Sequence, residues 1–162
     1  MNMNNVSFNI SKAKVYNEVA KTTSYGGKKA QDDGSAYERV RTTTEDEELL
    51  NRFWDEACDM VTSIVKPFLV SVNDDTDFTL DLSLPERYDT NLNDMLKDTA
   101  FSFIVNVIIA KWYEIANKDE VQKYTDMATA LEAKIKSVVF HRKKPRLIQG
   151  DNTDKQNKMA TT

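Results

Sequence analysis

Residues 78–84 read FTLDLSL, and this short run limits the possible folds more than any other stretch. Phe78, Leu80, Leu82 and Leu84 alternate with Thr79, Asp81 and Ser83, the period of a strand with one buried face. Pro85 stops it. A single strand leaves its backbone donors and acceptors unpaired along both edges. It must therefore pair either with the N-terminal VSFNI (6–10) or with a strand of another chain, which makes Phe78, Leu80 and Leu82 candidates for pairing between chains. With three prolines and four glycines in 162 residues, the chain has little material for a many-turned β fold. The rest is expected to be helical, on a length that suits one domain.

Three helices are predicted. Thr44-Glu45-Asp46-Glu47 has the spacing of a capping box, and Leu50, Phe53, Trp54, Ala57, Met60, Val61, Ile64 and Val65 follow at helical intervals. Pro67 should end that helix. A second helix runs from about 91 to 116, apolar on several sides from Phe103 onward and so expected at the centre. After the tight turn 117–119, a third runs from about 120 to 140 with Val121, Tyr124, Met127, Ala128, Leu131, Ile135 and Val138 as its stripe. The short turn makes 91–140 a helical hairpin. The expected architecture is mainly α: a helical bundle of three main helices with a strand or hairpin at 77–84. An extended N-terminal arm (1–43), a bundle domain (44–140) and a basic C-terminal tail (141–162) divide the chain. The N-terminal MNMNNVSFNISK lacks the apolar core of a signal peptide. The apolar run 101–110 is too short to span a bilayer, and no membrane is expected.

Charge is segregated. Residues 1–42 carry seven basic and four acidic groups, residues 43–100 four and fifteen, residues 101–140 five of each, and residues 141–162 six and two. Basic ends flank an acidic middle.

No stretch supports a catalytic or cofactor site. The run KTTSYGGKKAQDDG (21–34) suggests a phosphate loop, but Thr22 stands where the first glycine belongs and Lys29 where the magnesium-binding hydroxyl belongs. It reads instead as a joint in the arm, with Tyr25, Lys28 and Lys29 at an interface between chains. The acidic run from Asp75 fails as a calcium loop, because Leu80 occupies the position that needs glycine. One histidine, His141, and one cysteine, Cys58, cannot make a dedicated zinc site, and Cys58 on an apolar helix face reads as a small hydrophobe. No enzyme, cofactor or metal is expected. Arg142, Lys143, Lys144 and Arg146 suit either nucleic acid or the acidic surface of a neighbouring protein. The acidic domain and the lack of interleaved aromatics favour protein.

The order of parts is an N-terminal arm, a capped helix with FWDEA, the strand DFTLDLSLP, a helical hairpin centred on AKWYEIA, and the basic HRKKPR. This order resembles the head-to-tail connector (adaptor) proteins of tailed bacteriophages. The wording of KTTSYGGKKAQDDGSAYERVRTTTEDEELLNRFWDEA resembles virion proteins of phages of gut Bacteroides-type hosts, including the crAss-like group. The resemblance covers roughly residues 14–146. It implies a structural virion protein, assembled in the host cytoplasm, that forms a ring of twelve copies beneath the portal. Such a ring docks the tail or further ring proteins and lets DNA pass through its channel without specific binding. It also implies that a terminal extension, 141–162 or 1–43, reaches the portal or an adjacent subunit. The alternative is a small helical packaging or regulatory protein that binds nucleic acid through the basic tail.

Overall fold

The computed structural model describes residues 2–29 and 40–145, and the side chains of Lys28 and Lys29 lie outside what it describes. Its elements are β1 (Met3–Ile10), α1 (Lys12–Lys29), α2 (Glu47–Val65), β2 (Leu69–Asn73), β3 (Phe78–Pro85), α3 (Asn93–Ala116) and α4 (Val121–Val139). The chain is mainly helical with one small antiparallel sheet.

The alternating run becomes the middle of that sheet, in the order β1-β3-β2. On one side Val6 faces Leu82, Phe8 faces Leu80 and Ile10 faces Phe78. On the other, Val72 faces Leu80 and Asn73 faces Thr79. The expectation that Phe78, Leu80 and Leu82 pair between chains is thereby corrected. Both edges of their strand are taken within the chain, and all three side chains are buried in the core. The acidic run before them is the β2–β3 hairpin turn. Within it, Asp77 Oδ1 accepts the Lys12 amide at 3.0 Å, which places a carboxylate at the positive end of α1.

The N-terminal segment also departs from the expected arm. After β1 the chain turns directly into α1, whose inner row is Val15, Val19, Thr23 and Gly27, one residue every fourth position and all buried. This row packs on the body although half of it is not apolar. Thr23 Oγ1 donates to the Val19 carbonyl at 2.9 Å and accepts the Thr42 amide at 3.1 Å, so the hydroxyl is satisfied inside the protein. The glycine pair therefore lies within a helix, where a bend had been expected. Residues 30–39 lie outside the described residues.

The capping box stands one residue earlier than its pattern suggested, and it caps a 3-10 turn whose last residue, Asp46, is the N-cap of α2. Thr43 is the capping residue, and the Asp46 carboxylate accepts from its amide (2.8 Å) and its hydroxyl (2.9 Å). A 3-10 turn over Thr44–Asp46 precedes the helix proper. Pro67 ends α2 in another such turn, Lys66–Phe68.

Helix α3 is the centre. Every residue from Phe103 to Ala110 is buried, because α1, α2, α4 and β1 all pack around it. Its one buried amide, Asn106, donates to the Ser102 carbonyl one turn back at 2.8 Å. By length and composition this helix could cross a membrane, but 67% of its apolar window is buried within the protein. Lys111 of α3 pairs with Glu56 of α2. That hydrogen bond holds the Glu56 carboxyl below its ordinary range, with Arg52 adding to the effect.

Candidate interaction surfaces

The residues expected at an interface fall on two separate parts of the surface. Tyr25 is 67% exposed near the end of α1. It borders an open cleft of about 380 Å³. The floor is Gly26 against Tyr113, and the far wall is formed by the 117–120 turn with Lys123 and Tyr124. Tyr113 and Tyr124 meet edge to face, with centroids 5.3 Å apart. Lys123 lies 5.2 Å from the Tyr124 centroid and 3.3 Å from Glu120. Burial raises the Tyr113 phenol above its ordinary value, and nearby Tyr124 and Glu120 act in the same sense, so it is protonated at neutral pH. The cleft is an aromatic floor with mixed charge at its rim. Such a surface suits a polypeptide side chain better than a phosphate, since one lysine there is already paired with an acid. Sequence reasoning assigned Tyr25 to an interface between chains and Tyr113 and Tyr124 to helix stripes. Nothing in their spacing announced that the turn would bring them beneath Tyr25. Lys28 and Lys29 end α1, and their side chains lie outside the described residues.

The second part is the base of the C-terminal tail. Arg142 is turned inward: its Nη1 donates to the Val139 and His141 carbonyls at 2.8 and 2.7 Å. Its guanidinium sits 5.6 Å from the Phe68 centroid. Lys143 binds the turn after β3. Its amide donates to the Arg87 carbonyl at 2.8 Å, and the Arg87 guanidinium returns two bonds to the Lys143 carbonyl at 3.1 and 2.6 Å. Lys143 Nζ lies 3.3 Å from Asp89. The Asp89 carboxyl is held below its usual range, chiefly by the Asn91 amide and then by Lys143. Two of the four tail cations assigned to an interface thus fasten the tail to its own body, whereas Lys144 is exposed. Arg146 lies outside the described residues.

Comparison with protein-family models, with curated proteins and with solved structures returned no match to this chain. Function must therefore be argued from the surfaces themselves. Among the described residues, no group of three or more histidine, cysteine, aspartate or glutamate side chains could hold a metal ion. Cys58 is buried, and its thiol is pushed up by desolvation first and then by Asp74, Asp55 and Asp59. It is therefore a neutral thiol packed as a hydrophobe. Tyr16, partly buried against the core, is raised by burial and by Asp55 and Glu47, and its hydroxyl donates to Asn51 at 2.6 Å.

Proposed function

We propose that the chain is a non-enzymatic structural virion protein: an oligomeric ring connector at the portal–tail junction of a tailed phage, with its helices acting as the bundle of the ring. The observation that carries this reading is the division of charge along one chain. Fifteen acidic groups lie within 43–100, and six basic groups lie within 141–162. A ring of identical copies needs two different, complementary surfaces on each, and an acidic body with a basic extension supplies such a pair. The fixed base of that extension supports the same reading. Arg87 and Asp89 hold Lys143, so the base of the extension is fixed at the turn after β3. The resemblance noted in the sequence points the same way.

The nucleic-acid alternative is weaker, because Arg142 and Lys143 already have partners within the chain. An acidic body also repels a phosphate backbone. Two experiments test the proposal. Particles assembled without this protein should fail to join tails, and the purified chain should bind portal protein. Particles that join tails normally in its absence would exclude the connector role. Binding of duplex DNA by the isolated monomer, falling steeply with salt, would favour the alternative.

A further inference from the structure

The sheet carries its charge in an unusual place. Strands at the edge of a sheet are ordinarily protected by lysine, proline or an inward charge, because their free backbone groups invite another strand. Here the edge strands, β1 (MNNVSFNI) and β2 (LVSVN), have no charged residue and no proline. The single charge of the sheet, Asp81, is on the central strand β3, where no protection is needed. β1 runs through eight unbroken register pairs. β2 has one irregularity, between Leu69 and Ser71, and is regular from there to Asn73. Among the described residues, no other segment hydrogen-bonds to either outer edge. Apolar side chains lie open at both: Met3 is 45% exposed, Val70 65% and Val72 43%. Val72 shares a row with Leu80 and Phe8, which are buried. It belongs to the core-facing layer but is left 43% exposed.

We infer that the occupant of these edges is a second copy of this chain, with the β1 edge of one copy pairing with the β2 edge of the next. The inference rests on the ring reading and names the contact that closes the ring. β1 and β2 each run antiparallel to β3 and hence parallel to one another. Head-to-tail joining therefore continues the sheet with a parallel pair. This arrangement covers both edges of every copy with a single kind of contact. Twofold pairing of β1 with β1 leaves Val70 and Val72 open. A heterologous contact of this kind generates a ring when its rotation closes. Neutral edges also remove any charge repulsion between copies, which leaves the charged segments free to set the spacing.

The test uses the full chain and two variants with lysines at exposed edge positions. Met3→Lys with Asn5→Lys blocks β1, and Val70→Lys with Val72→Lys blocks β2. Circular dichroism should match the wild type in both, and any fall in melting temperature should be confined to the β2 variant, because Val72 lies on the core-facing side of the sheet whereas Met3 and Asn5 do not. Native mass measurement and electron microscopy should show rings for the wild type and monomers for each variant alone. An equimolar mixture of the two variants should give a dimer, because each supplies the edge the other lacks. Rings formed by both variants as by wild type would overturn the edge contact and leave the ring reading standing. A dimer of the β2-blocked variant alone would overturn the head-to-tail arrangement in favour of twofold β1 pairing. A wild type that stays monomeric at tens of micromolar would overturn the edge contact and the ring together.

Discussion

Gly26 of α1 lies against the phenol of Tyr113 of α3, so close that a Cβ on the glycine would run into the hydroxyl oxygen. The next atom of that ring, Cζ, would stand 3.4 Å away, an ordinary contact. Gly26→Ala alone should cost about 1–3 kcal/mol through overpacking, partly offset by alanine's better helix propensity. With Tyr113→Phe as background the clash is gone, and the same change should gain up to about 1 kcal/mol. A double-mutant cycle read by urea unfolding checks this. Equal effects in both backgrounds would mean the hydroxyl is not what excludes a side chain.

Trp112 holds the chain at Val40, the first described residue after Lys29. Its indole Nε1 donates to the Val40 carbonyl at 2.6 Å, in a buried setting. Trp112→Phe removes the donor and leaves that carbonyl without it, at a cost of about 1–3 kcal/mol. Thermal melting should fall by several degrees, with the helical signal at low temperature unchanged. An unchanged melting temperature would show that the bond contributes nothing.

Three carboxylates, Glu56, Asp81 and Asp89, are held below their ordinary values, chiefly by Lys111, by Ser7 with Ser71, and by the Asn91 amide respectively. A depressed folded-state value stabilises the fold above the unfolded value, and the contribution is lost as pH falls through the folded one. Stability should therefore be level near neutrality and decline below about pH 4. Asp89→Asn should flatten part of that decline while leaving the neutral-pH fold intact. Unfolding curves collected between neutral and acidic pH give the answer. A variant with the same acid slope as wild type would remove Asp89 from the explanation.

A chain stopped after Pro145 keeps the Arg87–Lys143 fastening, whereas one stopped after Phe140 loses it. Both should keep the helical circular dichroism. The shorter should melt lower, because Arg87 and Asp89 lose their partners, and the longer should melt as wild type does. Both should assemble poorly with portal if residues beyond Pro145 make the contact. Normal assembly of the Pro145 truncation would remove that role.

The three long helices could be read from the sequence because each presents a stripe or band of large apolar residues, from Leu50 to Val65, from Leu96 to Tyr113 and from Val121 to Val138. The central strand could be read because four large side chains alternate without interruption. α1 could not, since its buried row ends in Thr23 and Gly27, and small or polar residues give no hydrophobic period. They are inside because the backbone of α1 approaches α3 closely, a fact of tertiary packing. β2 was hidden because only five residues form it and four of them are exposed. The capping box fell one residue early, on the 3-10 turn ahead of α2, because Thr43 and Thr44 offer the same hydroxyl and Asp46 bonds Thr43. At the surface, Tyr25 was singled out for an interface between chains, but the cleft it borders was not legible. The basic run 142–146 suggested cations facing outward, yet nearby carbonyls and a ring turned Arg142 inward.

The central claim is that this chain is built to join copies of itself into a ring. Native mass spectrometry of the purified full-length protein, with electron micrographs of the same sample, tests it most directly. One closed species of uniform copy number, twelve being the number that the resemblance implies, is the expected result. A monomer at every concentration, alone and with portal protein, contradicts it.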